Sequence, residues 1–206
     1  MSSFDETQGR YNLAYERCLD ALCTREKVLG PEHPDTLASM SRLAIALKGQ
    51  GKYKTAEEIH QQALELQEKV LGLEHPDTLR SMSSLAIALQ GQGKYEAAEE
   101  IHWQALDLRE KVLGPEHPDT LRSMNNLATA LECQGKYEAA KEIHQRALEL
   151  QEKVLGPEHP NTLGSMNNLA LALKGQGKYK ASEEMQRQLA VVLDSQKNSQ
   201  PPHPPL

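Results

Sequence analysis

Seven histidines recur at fixed intervals and are the residues best suited to chemistry. His33, His75, His117 and His159 form one series, and His60, His102 and His144 form another. Imidazole binds metals and moves protons, but a metal site needs three or four ligands converging within a few ångströms. Both series step by 42 residues. If each step is one stacked unit, equivalent histidines lie about 10 Å apart, too far to share an ion. The paired acids Glu57-Glu58, Glu99-Glu100 and Glu183-Glu184 suggest acid–base work only superficially, because adjacent residues on a helix do not face one another. No Ser/His/Asp or Cys/His arrangement and no glycine-rich phosphate loop occurs. These residues specify no enzyme, no metal and no cofactor site.

The 42-residue step is therefore a property of the scaffold. Gly30-Pro31-Glu32-His33-Pro34-Asp35-Thr36-Leu37 returns nearly unchanged at Gly72, Gly114 and Gly156. Residues 73–114 and 115–156 are identical at 31 of 42 aligned positions. A period of this length marks a stacked repeat protein, which offers an extended surface more than a deep pocket. Seven segments follow: a disordered N-terminus at 1–8; a half repeat at 9–30; full repeats at 31–72, 73–114 and 115–156; a fourth at 157–193; and a disordered tail at 194–206. The tail holds four prolines, which exclude helix.

Each repeat reads as two helices. Leu37, Met40, Leu43, Ala44 and Leu47 share one helical face. Pro34 suits a first turn, Asp35 suits the positive end of the dipole, and Gly49-Gln50-Gly51 ends the run. A second helix runs from Tyr53 to Gly72. Glu65/Lys69, Asp107/Lys111 and Glu149/Lys153 are spaced for i,i+4 pairs along it. Small residues (Ala44, Ala56, Ala63 and their copies) let the helix axes approach closely. No segment alternates with period two. The fold class is all-α: a right-handed α-solenoid, or superhelix, of stacked helical hairpins.

Leu43-Ala44, Leu47, Gly51, Tyr53, Ala56 and Ala63-Leu64 resemble the tetratricopeptide repeat (TPR) pattern. The 42-residue length, Leu-Gly-Pro-Glu-His-Pro-Asp-Thr-Leu and Asn-Asn-Leu-Ala resemble the kinesin light chain type of that repeat. Arrays in fungal and bacterial NLR-like ATPases are similar. The resemblance covers about residues 9–190. It implies a protein–protein interaction scaffold whose first helices line a concave groove. Neither the heptad coiled coil of a kinesin light chain nor the phosphate loop of an NLR-like ATPase is present in these residues. A structural, autoinhibitory or oligomerising piece of such a larger protein is the alternative expectation. In that setting the uncapped half repeat at 9–30 would support self-association.

Counting from Leu37, the groove stripe is Ala38, Ser41, Ile45 and Lys48, with Arg42 at its edge. The next copies give Arg80, Ser83, Ile87 and Gln90; then Arg122, Asn125, Thr129 and Glu132, with Asn126 at the edge; then Gly164, Asn167, Leu171 and Lys174, with Asn168 at the edge. Several of these are where the second and third repeats differ, so the variable face is the groove face. Asparagine can donate and accept together and so hold an extended backbone, while Arg80 and Arg122 can engage carboxylates, so an acidic peptide is a suitable ligand. Family members that clamp a C-terminal carboxylate carry Lys and Asn where Ser41 and Ile45, or Ser83 and Ile87, stand here. That version is not expected.

Composition agrees with a binding scaffold. The net charge of −6 disfavours nucleic acid and anionic membranes. Aromatics are 4%, which suits Ala/Leu helix packing. No leader or spanning segment is legible. Cys18, Cys23 and Cys133 are odd in number and occupy no repeated position, as expected of reduced thiols in a cytoplasmic protein.

Overall fold

The computed structural model describes residues 3–199, with side chains described for 11–195. Its described residues form helices joined by short turns. They divide into two compact units, Met1–Val112 and Leu113–Leu206. The first contains α1 (Ser3–Leu29), α2 (Pro34–Gly49), α3 (Tyr53–Leu71), α4 (Pro76–Gly91) and α5 (Tyr95–Leu113). The second contains α6 (Pro118–Cys133), α7 (Tyr137–Leu155), α8 (Pro160–Gly175) and α9 (Tyr179–Ser199). In each unit successive helices pack as antiparallel hairpins, and first helices also meet one another, α2 with α4 and α6 with α8. This is the stacking of an α-solenoid.

The repeated octapeptide is a helix-stop, helix-start device. Gly30 and Gly72 adopt φ of 89° and 88°, a region open to glycine at little cost. Each linker histidine is then an N-cap. Its Nδ1 accepts the backbone N–H of Asp35, Asp77, Asp119 or Asn161 at 3.1–3.2 Å. This satisfies one of the four donors that a helix start leaves unpaired. At the other end of α2, Lys52 N–H reaches Leu47 O (2.9 Å) and Gly51 N–H reaches Lys48 O (2.9 Å). That wrap needs the positive φ of Gly51.

The core repeats with the sequence. Leu37, Ala44, Ala56 and Ala63 are fully buried, as are Leu79, Ala86 and Ala98. A second joint links neighbouring hairpins. The rings of Tyr11, Tyr53 and Tyr137 lie where a Cβ on Gly49, Gly91 and Gly175 would stand. Each glycine thus makes room for a tyrosine ring, that of Tyr11 within α1 and those of Tyr53 and Tyr137 at the starts of α3 and α7, against the following first helix.

Three expectations are corrected. α1 begins at Ser3, not near Gly9, because nothing between Ser3 and Leu29 breaks a helix. α9 continues to Ser199 rather than ending at 193, since the first proline of the tail is Pro201. The remainder of that tail, from 200, lies outside the described residues. The i,i+4 pairs give way to longer-range ones. Lys69, Lys111 and Lys153 instead meet the linker acids Glu32, Glu74 and Glu116 at 2.6, 2.6 and 2.5 Å. The linker folds over the last turn of its own hairpin and places its acid there. The hydrogen bond from Lys111 to Glu74 raises the lysine pKa above its ordinary value.

Candidate ligand-binding face

The sequence-derived positions lie on the first helices, and about half of them are exposed. On α2, Arg42 is exposed and Ile45 is 50% exposed. Ser41 is half-buried, donating to Leu37 O and meeting Ser81 Oγ of α4, both at 3.3 Å. Lys48 is half-buried. On α4, Arg80 is exposed and paired with Asp77 at 2.7 Å. Ile87 and Gln90 are half-buried, and Gln90 Oε1 lies 3.3 Å from His102 Nε2. Ser83 stands behind the face, buried and accepting from Arg109 Nη1 at 2.8 Å.

In the second unit, Arg122 pairs with Asp119 at 2.8 Å. Asn125 joins two elements at once: its amide donates to Ser165 Oγ of α8 (3.4 Å), and its Oδ1 lies 3.2 Å from His144 Nδ1 of α7. Thr129 donates to Asn125 O at 2.9 Å. Asn126 and Asn168 are half-buried, Asn167 and Lys174 exposed, and Leu171 50% exposed. Between the first turns of α6 and α8 lies a cavity of about 420 Å³. It is lined by Pro118, Asp119, Arg122, Asn125, Gln151, Pro160, Asn161, Gly164, Ser165 and Asn168.

Sequence reasoning missed the contribution of the second helices. Gln67, Arg109 and Gln151 occupy one repeated position, and each is buried to within 3%. Arg109 also donates to Leu79 O at 2.7 Å. A polar residue on a helix reads as solvated. The available signal was its variation, Gln to Arg to Gln, at a position flanked by constant residues. The histidines of these helices are likewise internal: His60, His102 and His144 are at most 1% exposed. Burial pushes His60 and His102 down to about 4, aided by the charges of Lys48 and Arg109 respectively. Both are therefore neutral at physiological pH.

The paired glutamates join ionic contacts. Glu57 accepts from Lys94 (2.7 and 2.9 Å) and from Gln92 (2.6 Å), and the Lys94 contact lowers its pKa. Glu183 and Glu184 face Arg187. Among the described residues no group of three or more His, Cys, Asp or Glu could hold a metal ion, and no helix is long and apolar enough to cross a membrane. The three cysteines are free thiols.

Comparison with known proteins follows this geometry. The tetratricopeptide repeat profile matches residues 1–69, 42–111, 85–153 and 124–190. Two crystal structures of nearly identical TPR-like repeats from Podosopora anserina, described after kinesin light chain, are 31% and 32% identical. Their TM-scores are 0.85 and 0.83, over 95% of this chain and 93% of that one. BtubC (BKLC) from P. vanneervenii is similar in fold, with 21% identity and TM-score 0.80 over 98% of this chain and 80% of that one. Bacillus thuringiensis PlcR, solved with the peptide PapR7 and DNA, shares the fold at 17% identity and TM-score 0.69, over 93% of this chain and 66% of its own. No curated protein matches. With nearly its whole length matched, this chain belongs to the tetratricopeptide repeat family, a fold that serves protein–protein interaction, and its repeats are of the kinesin light chain-like kind.

Proposed function

We propose that the chain binds a peptide segment of a partner protein along the exposed stripe of its first helices. The observation that carries this reading is the mixed chemistry exposed on the first helices. They present Arg42, Ile45, Asn167 and Leu171 to solvent. Exposed aliphatic side chains beside arginine and asparagine suit an extended backbone with mixed side chains. PlcR, which shares the fold, was solved in complex with the peptide PapR7. Arg80 and Arg122 favour an acidic partner, although each already shares its charge with an aspartate.

A displayed peptide library panned on the intact chain tests this reading. The selected peptides are expected to lose about tenfold or more in affinity when Ile45, Arg80, Asn167 and Leu171 are replaced together by alanine. Unchanged affinity, or no selection above background, refutes it. A second reading is self-association through α1, which exposes Leu13 (49%) and Val28 (73%). A sedimentation coefficient independent of concentration rejects that reading.

A further inference from the structure

One exposed side chain breaks the pattern of the second helices. Trp103 of α5 is the single tryptophan of the chain and is 45% exposed. The corresponding residue is Gln61 in α3, Gln145 in α7 and Arg187 in α9. His102 and Arg109 meet α4 through Gln90, Ser83 and Leu79. The helical period puts Trp103 on the opposite side of α5 from these contacts. Among the described residues the cation–ring contact is Lys52 over Tyr15, 5.4 Å from the ring centroid, and no cation lies over the indole.

Trp103 stands in a line of carboxylates. Glu96, Glu100, Trp103 and Asp107 are all exposed. Their spacing makes one stripe along α5, about 16 Å long. Glu96 and Glu100 have no hydrogen-bond or ion-pair partner among the described residues. Asp107 feels the charge of Lys111, which is itself bound to Glu74. The first acid of the stripe is satisfied elsewhere in the array. In α7 its counterpart Glu138 is held by Lys141 and Lys178, and in α3 the position is a lysine, Lys54.

Ring and acids together select a cation. An apolar partner would cover one isolated ring and strip water from three carboxylates without replacing their hydrogen bonds, which costs free energy. An acidic segment would meet like charge, and a second copy would set this stripe against its own kind. A guanidinium meets both needs. Its plane stacks on the face of an indole, and its N–H groups donate to carboxylates one turn away. A lysine brings a point charge with no plane to stack.

We infer that this stripe of α5 docks an arginine-rich segment of a partner protein. It lies on a different helix from the first-helix face and stands whether or not that reading holds.

The fluorescence of Trp103 in the intact chain reports occupancy directly, because no other tryptophan contributes. N-acetyl hexa-arginine amide should change its emission saturably. The hexa-lysine analogue should bind about threefold or more weaker, and hexa-glutamate should have no effect. Anisotropy of labelled hexa-arginine then compares variants. Trp103→Gln installs the residue of α3 and α7 and keeps every charge; it should bind about fivefold or more weaker. Glu96→Gln, Glu100→Gln and Asp107→Asn together should cost about tenfold or more. The same loss of charge on α1, by Glu16→Gln, Asp20→Asn and Glu26→Gln, should change affinity by less than about twofold. Equal binding by wild type and Trp103→Gln, or an equal loss from the α1 and α5 variants, reduces the effect to diffuse attraction by a chain of net charge −6 and overturns the proposal. Tighter binding of a neutral leucine-rich peptide at Trp103 also overturns it. A concentration-dependent sedimentation coefficient that Trp103→Gln abolishes assigns the stripe to a second copy instead.

Discussion

Two buried histidines make the first unit sensitive to acid. His60 and His102 have an ordinary pKa of 6.5 and are held at about 4 in the fold. Desolvation is the main cause. Lys48 adds repulsion at His60, and Arg109 adds it at His102. His60 has no hydrogen-bond partner at either ring nitrogen, whereas His102 has only Gln90 among its described contacts. The unfolded chain takes up protons near pH 6.5, and the folded chain does not until near pH 4. Stability is therefore full above 6.5, falls as pH drops through the interval, and levels off below 4. At about pH 5 each histidine removes about 2 kcal/mol relative to about pH 7.5, and the pair about 4 kcal/mol. That is a large share of the 5–15 kcal/mol typical of a domain. Trp103, the single tryptophan and the neighbour of His102 on α5, reports this unit alone. Urea denaturation followed by its fluorescence should show the wild type losing stability over this range. A His60→Phe, His102→Phe variant should lose about 4 kcal/mol less, whatever repacking does to its absolute stability. Equal losses in both proteins would sink the argument.

Other outcomes follow from the packing. Gly91→Ala puts a methyl into the Tyr53 ring; it should cost about 1–3 kcal/mol in denaturant titrations, and Tyr53→Ala in the same chain should relieve the clash, with an interaction energy that a double-mutant cycle detects. Ala63→Leu, at a fully buried crossing point, should cost a similar amount, about 1–3 kcal/mol, by overpacking. His117→Ala removes the side chain that caps α6 and should lower stability by about 1 kcal/mol, whereas His117→Asn, a stronger capping residue, should restore it. Lys111→Ala breaks an exposed pair with Glu74 and should leave the denaturation midpoint unchanged within error.

Helix positions were legible because their boundaries are chemical. Proline and aspartate at the start, and Gly-Gln-Gly at the end, restrict the backbone locally, and no distant contact was needed to find α2 or α3. The buried alanines were legible because a small residue recurring on an apolar stripe has few other uses. The cap made by His33 was not, since imidazole caps too seldom for a rule to flag it. The burial of Ser83 depends on Arg109, twenty-six residues away in sequence, and the Lys69–Glu32 pair spans thirty-seven. Such contacts require the hairpin to close first. The α6–α8 cavity was hidden for a further reason. It is built from what α8 lacks, and Gly164 looked like an empty place in the stripe when it was an opening.

The tyrosine–glycine joint bears on how such a chain changes length. Every hairpin carries a ring at the start of its second helix, and Gly49, Gly91 and Gly175 offer a bare backbone at the end of three first helices. Both halves of the joint travel within one 42-residue stretch. A gene segment copied or deleted in multiples of that stretch carries the joint with it, save where Cys133 takes the place of the glycine at the end of α6. Recombination between near-identical copies can then lengthen or shorten the array without a compensating substitution. Copy number becomes a heritable variable that changes how many first helices the array presents while leaving each interface already built.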